Sequence, residues 1–173
     1  GYTPEFEGKE NFKGQFIHPQ LWDENLDYKG KKIVVIGSGA TAVTLIPELA
    51  KQAVSVTMLQ RSPTYVANVP KEDKLLPILR KFLPNNWVYR FARTRNVALT
   101  MAIYNYCRSF PNHARKALTK LAKKDLGDEF DMKHFTPHYA PWDERLCAVP
   151  DGDLFEVLKN GKAHVLTDTI KHF

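Results

Sequence analysis

The feature that most constrains the fold is a strand, a glycine turn, a helix and a second strand in immediate succession between Lys31 and Leu59. Residues 31–36 form a short apolar run after two lysines, which predicts a strand buried on both faces of a parallel sheet. Apolar residues then recur at three- and four-residue steps from 42 to 53, as on one side of a helix. Residues 55–59 return as a second strand. This succession has the size of a βαβ unit and predicts an α/β fold.

The turn between the first strand and the helix has the pattern GxGxxA. Its residues are Gly37, Ser38, Gly39, Ala40, Thr41 and Ala42. Gly37 permits a tight turn, Gly39 lets the backbone approach a pyrophosphate, and Ala42 lets helix and strand pack closely. The helix N-terminus adds unpaired N–H donors. We expect these six residues to bind a dinucleotide in a Rossmann-like parallel sheet. The alternative is an ordinary strand-to-helix turn of another doubly wound protein.

The end of the second strand indicates which dinucleotide is bound. A carboxylate there would accept hydrogen bonds from the adenosine ribose of NAD or FAD, and this chain has none at that point. Arg61 instead supplies a planar guanidinium that can hold a 2′-phosphate, and Ser62 can add a hydroxyl donor. The sequence therefore favours NADP(H) over NAD. The competing interpretation is a solvated surface arginine.

Composition divides the rest of the chain into an entry segment, a sheet region and an insertion. Residues 1–30 carry glycines and prolines among isolated aromatic residues, which predicts an extended entry linker. Residues 31–72 and 126–173 are expected to form the dinucleotide-binding domain, truncated at its end. Apolar and basic residues at helical spacing predict a helical insertion over residues 73–125.

Two short elements are expected near the end of the chain. Asp153, with Glu156 three residues later, has the spacing of a capping box and predicts a helix over residues 154–160 that stops at Gly161. Residues 165–167 then predict a strand, with residues 170–173 as an optional continuation into a hairpin.

The formal net charge of +6 is concentrated in one segment. Residues 74–124 hold 12 of the 25 basic residues and no acidic one, whereas the other 13 basic residues are outnumbered by 19 acidic ones. Basicity is therefore a property of the expected insertion. Such a face suits an anionic membrane surface or a partner domain, although it is more often simply solvated. Because no recognition motif surrounds it, we expect no nucleic acid partner.

Cysteine and histidine spacing indicates neither a disulfide framework nor a metal site. Cys107 and Cys147 lie 40 positions apart with no metal-ligand spacing near either. His134 and His138 are four apart, but Pro137 argues against a regular helix between them. No leader pattern opens the chain and no apolar stretch is long enough to span a bilayer. We expect a cytoplasmic protein, with peripheral membrane contact left open.

A second motif precedes the glycine turn. Residues 12–23, Phe-Lys-Gly-Gln-Phe-Ile-His-Pro-Gln-Leu-Trp-Asp, match the fingerprint FxGxxxHxxxW followed by Pro or Asp. This pattern resembles that of type I Baeyer–Villiger monooxygenases, which are class B flavin-containing monooxygenases. The matching residues are Phe12, Gly14, His18, Trp22 and Asp23. Residues 135–155 are similar to the branch of that family that includes the mycobacterial ethionamide-activating monooxygenase.

The resemblance implies an enzyme with two dinucleotides, in which NADPH reduces FAD and a C4a-peroxyflavin inserts one oxygen of O₂ into a ketone or oxygenates sulfur. It implies that this chain is the NADP-binding domain only, inactive without the FAD-binding domain of the same protein. Arg145 falls at the position of the family's active-site arginine, and His18 at the fingerprint histidine, for which a hinge role is expected. Glu144 stands where many relatives carry lysine.

A different class of function remains open at this point. The chain could be a non-catalytic dinucleotide-fold module whose basic helical insertion docks on a membrane surface or a partner.

Overall fold

The computed structural model describes residues 4–173, so the first three residues of the expected linker lie outside the described part. The strands are β1 (Lys32–Ile36), β2 (Ser55–Gln60), β3 (Tyr65–Val69), β4 (Leu146–Pro150) and β5 (Ala163–Thr167). The α-helices are α1 (Ala40–Leu49), α2 (Leu75–Leu79), α3 (Asn85–Ser109), α4 (Pro111–Leu126) and α5 (Asp153–Lys159). Short 3-10 helices occupy Lys9–Asn11, Pro19–Leu21 and Met132–Phe135.

The main sheet is parallel, with the strand order β1-β2-β5. Lys32 pairs with Ser55 at the start of the β1–β2 ladder, and Val56 pairs with Ala163 at the start of the β2–β5 ladder. Helix α1 connects β1 to β2, as the βαβ pattern predicts. The predicted α/β fold with a Rossmann-like parallel sheet and helices inserted between its strands is confirmed.

Only one face of this sheet is covered. Val56 and Met58 of β2 are fully buried on the face that α1 covers. On the opposite face Val34 is 60% exposed and Ile36 is 44% exposed. The prediction that residues 31–36 are buried on both faces is therefore wrong for this chain. An apolar run shows that a strand is suited to burial, but packing elements must be present to bury it.

A second, two-stranded parallel sheet pairs β3 with β4, with Tyr65 opposite Leu146. Strand β3 was not predicted, because residues 65–69 are too few to show a period. Helix α4 packs against β3 and α5. The core between the two sheets and the helices contains the buried side chains Ile46, Leu126, Phe135, Val149, Leu154 and Phe155.

Two local predictions near the end of the chain need correction. The N-cap of α5 is Gly152, with φ +71° and no side-chain capping bond, so the predicted capping box does not form. The Asp153 side chain instead accepts a hydrogen bond from the adjacent Leu154 N at 2.7 Å. Residues 170–173 form neither strand nor hairpin. Phe173 N instead donates to Glu7 O at 2.8 Å, which packs the end of the chain on its entry segment.

Candidate dinucleotide-binding site

The carboxyl edge of the main sheet brings the predicted site residues together. Gly37 N donates to Leu59 O at 2.8 Å, so the glycine turn begins directly beside the end of β2. Arg61 and Ser62 follow β2 at the same edge, because parallel strands end on the same side of a sheet. Ligands of open α/β sheets bind at this edge.

The glycine turn has the shape that a phosphate cradle needs. Gly37 has φ +125°, a conformation that a residue with a side chain rarely adopts. Gly39 is extended, and a Cβ added to it would meet no atom within 4 Å. The space in front of the turn is therefore open to a ligand. Ala42, by contrast, is 7% exposed against the core, where a small side chain allows close packing.

The start of α1 leaves its first N–H groups without a side-chain cap. Gly39 is the N-cap residue and makes no capping hydrogen bond. Ala40 and Thr41 in the first turn are exposed. Backbone donors at an uncapped helix N-terminus, beside an open glycine turn, suit a pyrophosphate in both charge and shape. The residues present thus fit the diphosphate of a dinucleotide.

The side chain of Ser38 is directed away from that space. Its Oγ lies 2.8 Å from Thr64 Oγ1, and the two residues are 4% and 1% exposed. The Cys147 thiol lies 3.8 Å from the main-chain oxygen of Ser38. Ser38 can therefore offer a ligand only its backbone, while its hydroxyl ties the glycine turn to the start of β3.

Arg61 is exposed at the carboxyl edge. Among residues 4–173, its guanidinium makes no hydrogen bond or ion pair. Ser62 beside it is half-buried. A free guanidinium here can receive a phosphate without first breaking a protein contact.

Sequence reasoning missed a polar cluster beneath Arg61. Gln60 is 1% exposed, and its Nε2 donates to His134 O at 2.8 Å and to Thr167 Oγ1 at 2.9 Å. His134 Nδ1 lies 2.6 Å from the same hydroxyl. Burial lowers the pKa of the His134 imidazole. In the sequence, this cluster is marked only by a glutamine at the end of an apolar strand. A glutamine alone does not indicate which groups it bonds.

Arg145 lies immediately before β4, two residues from Cys147 and hence close to the glycine turn. Its side chain is exposed, and its main-chain oxygen accepts a hydrogen bond from the Tyr139 hydroxyl at 2.9 Å. Burial raises the pKa of the Cys147 thiol, and the positive charge of Arg145 opposes that rise. Arg145 thus precedes a strand whose residue Cys147 contacts the glycine turn.

The fingerprint residues make local structural contacts. A Cβ on Gly14 would lie 2.6 Å from the Phe12 ring, so glycine allows that ring to cover the backbone. His18 Nδ1 accepts from Gln20 N at 3.2 Å and caps the second 3-10 helix. The rings of Trp22 and Tyr28 meet edge to face at 6.0 Å.

The Asp23 carboxylate accepts from Asn25 N at 2.9 Å and forms a turn. The Phe12 ring contacts Phe173 at 5.8 Å. Within residues 4–173, no hydrogen bond joins the fingerprint residues to the glycine turn. Their contacts support a structural role at the entry segment.

Comparison with known sequences indicates a family. The profile described as "Flavin-binding monooxygenase-like" matches residues 3–83. The chain is similar to flavin monooxygenases along its whole length. It is 54% identical over 175 residues to the FAD-containing monooxygenase EthA of Mycolicibacterium smegmatis. It is 51% identical over 175 residues to EthA of Mycobacterium tuberculosis. Both matches cover 100% of this chain, which spans 36% of the length of either relative.

Two solved structures share the fold of this chain. A steroid monooxygenase bound to NADP matches with a TM-score of 0.69 at 19% identity, over 96% of this chain and 38% of that one. OTEMO in complex with FAD and NADP matches with a TM-score of 0.70 at 17% identity, over 96% and 38% of the two chains.

Over the described range 4–173, no helix combines the length and the apolar character that a membrane crossing requires.

Proposed function

We propose that this chain is the NADPH-binding part of a longer, FAD-dependent monooxygenase of the Baeyer–Villiger type. In this proposal residues 31–72 and 126–173 form the NADP-binding domain, residues 73–125 its helical insertion, and residues 1–30 the linker to an FAD-binding domain of the same protein. The observation that carries the proposal is the open glycine turn beside the free guanidinium of Arg61. The relatives named for FAD and the folds solved with NADP support it.

Different residues would bind different parts of NADP(H). Backbone N–H groups from Gly37 to Ala42 would hold the pyrophosphate at the start of α1. Arg61 and Ser62 would bind the 2′-phosphate, which is what distinguishes NADP from NAD. Arg145 would face the nicotinamide half and stabilise negative charge that develops during oxygen transfer.

Bound FAD would accept the hydride from NADPH and activate O₂, and the substrate would be a ketone or a sulfur compound. The chain alone is expected to be inactive. Its own residues bind and orient NADPH and hold a fixed positive charge near the reacting atoms.

The test is a titration of the protein with NADPH and with NADH. Arg61→Ala should weaken NADPH binding at least tenfold, because a charge-assisted bond to phosphate is lost, and should change NADH binding less than twofold. Arg93→Ala, which removes an exposed arginine on α3, is the matched control and should change neither affinity. Equal losses for the two nucleotides would contradict the assignment of Arg61.

The proposed role of Arg145 has a separate test in the full-length protein. Arg145→Ala should leave FAD bound, as judged by the flavin absorbance spectrum, and should abolish substrate oxygenation. Oxygenation at the unsubstituted rate would overturn its proposed role.

Exposed side chains within the basic residues 74–124 favour a second activity, which is contact with an anionic membrane surface. Residues 74–91 contain four basic residues and no acidic one. Within them Phe82 is 79% exposed, Trp87 is 70% exposed and Ile78 is 53% exposed. Aromatic and aliphatic side chains among lysines and arginines suit the boundary between headgroups and acyl chains. We propose that this segment binds anionic lipid peripherally.

Cosedimentation with vesicles tests this activity. Binding is expected to vesicles containing phosphatidylglycerol and to be much weaker with phosphatidylcholine alone. Replacement of both Phe82 and Trp87 by serine should reduce it at least tenfold, because two exposed apolar side chains no longer enter the interface. Val34→Ser changes an exposed apolar residue elsewhere and should leave binding unchanged. Equal binding to the two lipids would contradict the proposal.

A further inference from the structure

The loop Tyr139–Arg145 is closed on itself. The Tyr139 hydroxyl donates to the main-chain oxygen of Arg145 at 2.9 Å. Within the loop, Asp143 N donates to Ala140 O at 3.0 Å. Trp142 has φ +72°, a region that a bulky side chain rarely adopts. A residue persists in that conformation only when its surroundings fix it, so this loop depends on its contacts.

Two side chains hold the start of the loop. The Tyr65 hydroxyl donates to Tyr139 O at 2.8 Å, and Arg115 Nη2 donates to the same oxygen at 3.2 Å. The rings of Tyr65 and Tyr139 also meet edge to face at 5.4 Å. Tyr65 is 1% exposed at the first position of β3, so Tyr139 is anchored to a rigid strand.

The inserted helices hold the tip of the loop. Arg108 at the end of α3 forms an ion pair with Asp143. The rings of Tyr104 and Trp142 meet edge to face at 5.7 Å. The loop that carries Arg145 is thus attached to the insertion as well as to the sheet.

The glycine turn is tied to the same strand that anchors Tyr139. Ser38 Oγ lies 2.8 Å from Thr64 Oγ1, and Thr64 directly precedes Tyr65 at the start of β3. The carbonyl of Arg145 can only accept, so the Tyr139 phenol must donate to it. Burial raises the pKa of the Tyr139 phenol, which therefore keeps its proton at neutral pH.

We propose that Tyr139 is a positioning residue that fixes Arg145 relative to the phosphate-binding turn. It would do so by joining the main chain of Arg145 to the start of β3, to which Ser38 also joins the turn. This inference rests on the proposed function, because it takes Arg145 as the group that faces the nicotinamide half of NADPH. The Arg145 guanidinium then meets that half at a set distance from the bound pyrophosphate.

The experiment compares two ligands in the full-length, FAD-loaded protein. NADPH reaches both the turn and Arg145, whereas 2′,5′-ADP carries the phosphorylated adenosine half and no nicotinamide. Tyr139→Phe, which removes only the hydroxyl, should raise the Kd of NADPH about fivefold, as for one lost hydrogen bond. The Kd of 2′,5′-ADP should stay unchanged.

A double-mutant cycle separates positioning from general structural support. In the Arg145→Ala background, Tyr139→Phe should have no further effect on NADPH binding, because the group that it positions is already gone. Tyr106→Phe removes a tyrosine hydroxyl from the exposed surface of α3 and serves as the control, with both affinities unchanged.

Three other outcomes would contradict the positioning role of Tyr139 or the proposed function. Equal weakening of the two ligands by Tyr139→Phe would mean that Tyr139 only supports the turn, and it would refute the positioning role. So would a full effect of Tyr139→Phe in the Arg145→Ala background. If the unsubstituted protein binds neither ligand, the proposed function fails and this inference fails with it. Titration of the unsubstituted protein thus distinguishes failure of the proposed function from failure of the positioning role.

Discussion

The hydrogen bond between Ser38 and Thr64 offers a direct test of how the glycine turn is held. Thr64→Val keeps the shape of the side chain and removes its hydroxyl. Ser38 Oγ is then left without its partner, 4% exposed. A buried polar group without a partner costs about 1–3 kcal/mol. Ser38→Ala removes the same bond and leaves Thr64 Oγ1, in a residue that is 1% exposed, without that partner, so it should cost a similar amount.

Thermal unfolding followed by circular dichroism measures these differences. A loss of about 2 kcal/mol corresponds to a fall in Tm of about 4–8 °C for a chain of this size. The double variant should be at least as stable as Thr64→Val alone, since no orphaned hydroxyl remains in it. Thr44→Val, at an exposed position of α1, should stay within about 0.5 kcal/mol. Strict additivity of the two single changes would refute the bond as the link between turn and strand.

Three further predictions concern the ligand space, pH and the sheet. Gly39→Ala should change the free energy of unfolding by about 1 kcal/mol or less. It should weaken NADPH binding at least tenfold, because the added Cβ enters open space that a pyrophosphate would need. Unchanged NADPH affinity would contradict the proposed pyrophosphate site. Because burial holds the pKa of His134 below its usual 6.5, the unfolded chain binds more protons, and stability should fall as the pH drops below about 6.5. In urea titrations at different pH values, His134→Gln should make the free energy of unfolding depend less on pH. An unaltered pH dependence would contradict the role of His134. Val56→Ala should lower the free energy of unfolding by about 2 kcal/mol or more, because Val56 is 0% exposed. Val34→Ala should lower it by about 0.5 kcal/mol or less, because Val34 is 60% exposed. Similar losses for the two variants would contradict a core on one face of the sheet.

Much of the main sheet could be predicted because its signals are local. The apolar run, the turn from Gly37 to Ala42 and the helical period follow one another within one βαβ unit, so each element constrains its neighbour. Arg61 was also accessible to prediction, because its distance along the chain from the turn places it at the end of the next strand. Its use of a 2′-phosphate stays a prediction.

The second sheet and the polar contacts around the turn could not be predicted in this way. Strand β3 finds its partner β4 only after three helices have intervened. Ser38 and Thr64 are 26 positions apart, and Cys147 is 109 positions from Ser38. No local pattern reports such pairs, because which groups meet depends on how the whole chain packs.

The sequence by itself determined that a glycine turn follows a parallel strand and opens a helix, since backbone conformation there depends on the residues in place. Only the tertiary structure decided that the Ser38 hydroxyl bonds to Thr64 and that the Tyr139 hydroxyl donates to the main-chain oxygen of Arg145. It also left one apolar sheet face open. These features depend on which distant side chains pack together, and packing is a property of the assembled chain.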